Sequence, residues 1–157
     1  VYSDPGTPES IKRTASIWLG RIHYDSKEYE QALIFFESTV KFGGNVGAES
    51  QFMISKIKYD LGDYGSAETN IFTLVSDFAA YDEWKFKGFL LLVKSYIGLE
   101  DLFQARATAE SIMENVEVEW VQNACSDLML EIESMEVTEI NGTDLIETGT
   151  QNEVNDK

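Results

Sequence analysis

Cysteine, histidine and proline are nearly absent from this chain of 157 residues, and each shortage excludes something. A single cysteine, Cys125, allows no internal disulfide. A single histidine, His23, has neither a second histidine nor a placed cysteine to work with, so the usual acid–base and nucleophile pairs lack material. The 2 prolines, Pro5 and Pro8, stand at the N-terminus and leave the rest of the chain free to be helical. No apolar run approaches the ~18 residues of a membrane span, the longest candidate being Phe89 to Val93, so no membrane insertion is expected. Positive charge is scarce as well: 12 Lys and Arg face 28 Asp and Glu. Neutralising phosphates takes clustered Lys and Arg, which excludes nucleic acid and anionic lipid as general partners. The shortage is uneven, with 10 basic against 13 acidic residues in 1–99 and 2 against 15 in 100–157. The chain starts at Val1 without Met or a charged-then-apolar leader, which reads as a piece excised from something longer.

What is present is self-similarity. Tyr24-Asp25-Ser26-Lys27-Glu28-Tyr29-Glu30-Gln31-Ala32 returns as Tyr59-Asp60-Leu61-Gly62-Asp63-Tyr64-Gly65-Ser66-Ala67, and a more diverged copy ends at Phe103-Gln104-Ala105. The anchoring alanines Ala32, Ala67 and Ala105 lie 35 and 38 residues apart, and a period of that length predicts a solenoid or array. Each copy carries an apolar pattern of period three to four on both sides of its turn. Ile17, Trp18 and Ile22, then Phe52, Met53 and Ile57, then Phe89, Leu92 and Val93 precede the turns; Phe36, Ile71 and Ile112 are among those that follow. Each copy is therefore a helical hairpin meeting at an alanine, where a small side chain lets two axes approach toward the short end of ~8–10 Å. Tyr29, Tyr64 and Leu102 plug the corners.

Seven helices are expected, over about 9–26, 27–42, 46–61, 64–78, 81–98, 102–114 and 117–135. Thr7 is the expected N-cap of the first, with Pro8 at the first helical position, and Gly43-Gly44 stop the second. The fifth, apolar on nearly all sides through Phe89 to Val93, is expected to be the most buried. The division is a lead-in segment (1–8), a helical repeat domain (9–136, with repeats about 9–44, 46–79 and 81–116 and a capping helix 117–136), and a flexible acidic tail (137–157). Residues 1–8 are too short to cover the first hairpin, so its outer face is expected to be exposed or to meet upstream repeats of its own chain.

These residues resemble the tetratricopeptide repeat (TPR). The likeness rests on Leu19-Gly20, Tyr24, the Tyr29-x-x-Ala32 corner and Phe36, and in the second copy on Tyr59, Gly62-Asp63-Tyr64 and Ala67. Departures are Ile54-Ser55 and Leu92-Val93 in place of Leu-Gly, and Lys27 and Glu100 in place of the turn glycine. Gly47-Ala48-Glu49-Ser50 and Phe103-Gln104-Ala105-Arg106-Ala107-Thr108 are similar, more narrowly, to the C-terminal repeats of large multi-repeat bacterial proteins. The resemblance implies an all-α, right-handed α–α superhelix of three hairpins plus a capping helix. Export signals are common in such larger proteins, which implies the periplasm or cell envelope of a bacterium, with the cytoplasm as alternative.

Candidate chemistry is thin. His23 and Cys125 are expected to pack, Gly43-Gly44-Asn45-Val46-Gly47 lacks the Lys-Ser/Thr ending of a phosphate loop, and acidic pairs such as Asp82-Glu83 lack the ligand ladder of a calcium loop. No catalytic residue, metal or cofactor is expected. In proteins of this resemblance the first helix of each hairpin lines a concave groove. Carried over, the groove sites are Ile17, Arg21 and Tyr24, then Phe52, Lys56 and Tyr59, then Leu90, Lys94 and Ile97. The implied cationic ladder of Arg21, Lys56 and Lys94 suits an extended acidic or aromatic-rich segment, and hence a scaffold binding a protein or peptide partner. Two blander readings stand beside it. Arg21 and Lys56 each have an aspartate four residues on, Asp25 and Asp60, and the acidic tail has the charge to fold back onto the cations. The alternative function is a structural cap that terminates a long solenoid and binds nothing of its own.

Overall fold

The computed structural model describes the backbone of residues 8–151 and the side chains of residues 8–138. The chain is all-α: among the described residues there are seven helices and no strand. They are α1 (Glu9–Asp25), α2 (Tyr29–Val40), α3 (Gly44–Asp60), α4 (Tyr64–Asp77), α5 (Asp82–Gly98), α6 (Leu102–Asn115) and α7 (Glu119–Gln151). Each packs on its chain neighbours; α3 also touches α1 and α5, and α5 touches α7, whereas the even-numbered helices do not touch one another. The odd-numbered helices thus form a continuous layer, backed by the even-numbered ones.

The corners follow from the repeat. Ala32, Ala67 and Ala105 are fully buried. The tight turns before them need one left-handed residue each, supplied by Gly62 at φ 77° but also by Lys27 at 60° and Glu100 at 59°. Asp63 and Asp101 cap α4 and α6 by accepting from the Ser66 and Gln104 amides, whereas Glu28 makes no such bond at the first corner. Close approach within the first hairpin falls at Gly20, where a Cβ would lie 2.8 Å from the Phe36 ring.

Three expectations are corrected. Pro8 occupies the N-cap position of α1 rather than the first helical one, and Thr7 lies outside the described residues. α3, not α5, buries the larger set: Gly47 to Gln51 with Ile54, Ser55 and Ile57, against Gly88, Leu90 to Val93 and Ser95. Both helices are packed from either side, and the difference is that α3 also buries small and polar side chains, the polar ones hydrogen bonded. Ser50 pairs with Thr39, Ser55 donates to the Gln51 carbonyl and Gln51 donates to the Asn70 carbonyl. The outer face of the first hairpin exposes Trp18 and Ile22, in keeping with the expectation that nothing in residues 1–8 is long enough to cover it. Lastly, α7 runs on to Gln151 where a flexible tail was expected from 137; residues 152–157 lie outside the described residues. Arg106 of α6 grips Glu136 through two guanidinium–carboxylate bonds at the expected break, and extending an anchored helix avoids the cost of a new nucleus.

Candidate functional site

The nine candidate residues lie on the odd-numbered helices, and the structure treats their three rows differently. Ile17 and Leu90 are buried, at 6% and 8% exposure, each in a core cluster between neighbouring hairpins. Phe52 is half-buried, its ring 5.7 Å from that of Trp84. This apolar row is therefore spent mainly on packing, and Ile17 is withdrawn as a contact surface. Its spacing matched a groove because core and groove positions lie within one helical turn of each other.

The cationic ladder is also altered. Arg21 does not pair with Asp25 four residues on; it crosses to α3, where its Nε donates to Glu49 Oε1 at 2.6 Å. Glu49 is buried, so this pair ties α1 to α3. Lys56 does pair with Asp60, at 3.0 Å, and the same carboxylate accepts from the Tyr24 hydroxyl at 2.6 Å. Lys56 Nζ lies 5.7 Å from the Tyr24 ring centre. Tyr24, Lys56 and Asp60 thus form one polar cluster bridging α1 and α3. Burial pushes the Tyr24 phenol up, and its bond to Asp60 adds to the rise. For Lys56 burial acts downward, but the contacts with Tyr24 and Asp60 leave the ammonium raised overall.

Lys94 differs from the other two cations. It is exposed and makes no ion pair among the described residues. The place of its i+4 partner is held by Gly98, because the Tyr64 ring fills the space a side chain would need, 2.5 Å from where a Cβ would lie. Lys94 instead looks across a cleft of about 280 Å³ lined by Leu90, Ala124, Asp127, Leu128 and Glu131. Ile97 is half-buried beside it. Tyr59 completes the row, 5.4 Å from Tyr64; burial raises its phenol first, with the charges of Tyr64 and Glu131 adding.

Sequence reasoning missed the fourth row. Val121, Cys125, Leu128 and Ile132 repeat the stacking pattern of Val46, Ser50, Met53 and Ile57, so α7 occupies the register of a first helix. The groove positions of that register are Asp127, Glu131 and Ser134. The signal was legible as apolar spacing, but no turn motif follows to mark it. With this row included, Arg21, Lys56 and Lys94 face Glu49, Asp60, Asp127 and Glu131, and the face is not a cationic one.

His23 stacks on Phe35 with ring centres 5.3 Å apart and bonds Glu28, which makes it a packing residue at the end of α1. Cys125 is buried, donates to the Ala109 carbonyl at 3.2 Å, and has its thiol pushed up by burial. Among the described residues no group of His, Cys, Asp and Glu is arranged to hold a metal, and no helix is long and apolar enough to cross a membrane. Comparison with protein-family models and with curated proteins finds no match for this chain.

Proposed function

We propose that the chain is a non-enzymatic interaction module, a tetratricopeptide-like array wound as a right-handed superhelix, whose odd-numbered helices hold an extended segment of a partner protein. Contact among the odd helices and separation of the even ones supports curvature toward the odd side. A concave face built from four helices in register suits an extended chain better than a compact one. The observation that carries the reading is the cleft between α5 and α7, open beside exposed Lys94 and walled on α7 by the carboxylates Asp127 and Glu131. Half-buried Tyr24, Tyr59 and Ile97 supply contact area along the same face.

Charge sets the partner's chemistry. Since Arg21 and Lys56 are already engaged, an acidic segment finds only Lys94 open among the three cations of this face, while a basic group finds two carboxylates on α7. The segment is accordingly apolar or aromatic with a basic residue over α7. Selection from a random-peptide display library tests this. Aromatic-plus-basic sequences enriched on the parent and lost on an Asp127→Lys, Glu131→Lys variant support it; enrichment that ignores the variant, or no enrichment, contradicts it. A second reading, that the chain ends a longer array without a ligand, is favoured by α7 covering the core of the third hairpin.

A further inference from the structure

The exposed face of α1 repeats, position by position, the surfaces by which α3, α5 and α7 dock on the hairpin before them. Each docking surface has a small residue at its centre: Ser50, Gly88 and Cys125. Each of these sits against the second helix of the preceding hairpin. Ser50 Oγ is 2.5 Å from Thr39 Oγ1 on α2, a Cβ at Gly88 would fall 2.9 Å from Leu74 Cδ2 on α4, and Cys125 bonds Ala109 on α6. Thr39 and Leu74 occupy the same position of the crossing helix, seven residues after the corner alanines Ala32 and Ala67, and Ala109 lies one turn earlier on the same side, four residues after Ala105. Large apolar residues surround the small one. Met53, Leu91 and Leu128 stand three residues after it, and Ile54, Leu92 and Met129 one further. Ile57 and Ile132 stand seven after it, both fully buried.

In α1 the corresponding residues are Ala15, then Trp18, Leu19 and Ile22, with Ile11 in the place of Val46 and Val121. The pattern is complete, yet Ile11 is 50% exposed and Trp18 and Ile22 are each 56% exposed. An alanine alone is ordinary on any helix surface. An alanine ringed by three large apolar side chains, at the one position where the other odd-numbered helices meet a crossing helix, is not the composition of a solvated face.

We propose that this face docks a further helical hairpin of the same repeat type, with its second helix crossing at Ala15. The interface continues the one already made three times within the chain, so its geometry and chemistry are given. The partner is a second helix of the α2 kind, with the counterpart of Thr39 and Leu74 over Ala15 and apolar neighbours against Trp18 and Ile22. That counterpart needs no polar partner from α1, because Ala15 offers no hydroxyl. A second copy of this chain does not present that surface, because its own last hairpin is covered by α7.

The test extends the full chain by repeating residues 9–43 directly ahead of Glu9, which keeps the 35-residue period. The Thr39 of the added copy then lies over Ala15, its hydroxyl satisfied by the Phe35 and Phe36 carbonyls as it already is in α2. Trp18 of the added copy is made Phe, and the difference from a Trp18→Phe parent isolates the original Trp18. Docking moves the Trp18 emission to the blue, lowers its acrylamide quenching several-fold and adds helical signal; Ala15→Arg in the original α1 reverses all three. Unchanged quenching overturns the proposal whether or not the added residues become helical, since the same hairpin already packs on α3. It is equally overturned if the parent sediments as a dimer that Trp18→Glu dissociates, because the face then belongs to a second copy.

Discussion

Lys27 and Glu100 hold the left-handed backbone that Gly62 holds at the middle corner, at φ 60° and 59°. A side chain there costs about 1–2 kcal/mol, part of which glycine gives back through its freer unfolded chain. Lys27→Gly and Glu100→Gly are each expected to stabilise the fold by about 1 kcal/mol in urea unfolding, whereas Gly62→Ala destabilises it. Equal or lower stability in both glycine variants would mean that these turns are not strained. Tyr96 offers a second residue-scale check. Burial, with the hydrogen bond to Glu68 adding, pushes its phenol up to about 12. Because the folded value lies above the unfolded one, its contribution is present below about pH 10 and lost as pH rises toward 12. Stability is expected to fall across that window, and Tyr96→Phe to flatten the fall; a variant as pH-sensitive as the parent would place the titration elsewhere. The anchoring alanines could be read from sequence because each stands at a fixed place beside a turn. The partner of Arg21 could not be, since local spacing offers Asp25 and only the crossing of α1 over α3 brings Glu49 within reach.

α7 is the element whose role is most exposed to test. Its Val121, Cys125, Leu128 and Ile132 close the core shared with α5 and α6, and Ile132 is fully buried. Ile132→Ala is expected to cost about 2–5 kcal/mol in denaturant unfolding. A loss below about 0.5 kcal/mol, the range of ordinary surface changes, would show that α7 does not close that core. The capping helix was legible as an apolar stripe; its length was not, because residues 137–151 lack periodicity and the Arg106–Glu136 bond that steadies the middle of α7 spans 30 positions in sequence. The prominence of α5 misleads for a related reason. A run of leucines advertises burial, whereas the Ser and Gln residues of α3 are buried by hydrogen bonds that pattern alone does not display.

For the whole molecule, one rule of packing accounts for the core, the open face of α1 and the row that α7 adds: each odd-numbered helix after the first docks on the hairpin before it through a small residue ringed by large apolar ones. The layer this builds carries Tyr24, Tyr59, Lys94 and Ile97 on one side, with Asp127 and Glu131 opposite Lys94. A competing surface exists in the apolar cleft of about 400 Å³ between α5 and α6, lined by Phe89, Leu92, Ile112 and Val116 among others. Hydrogen exchange on the chain with and without a display-selected peptide separates the two. Protection on the odd-numbered helices, near Tyr24, Tyr59, Lys94 and Glu131, is the expected result. Protection centred on α6 around Ala107 to Asn115, with α7 unchanged, would contradict a binding face on the odd-numbered helices.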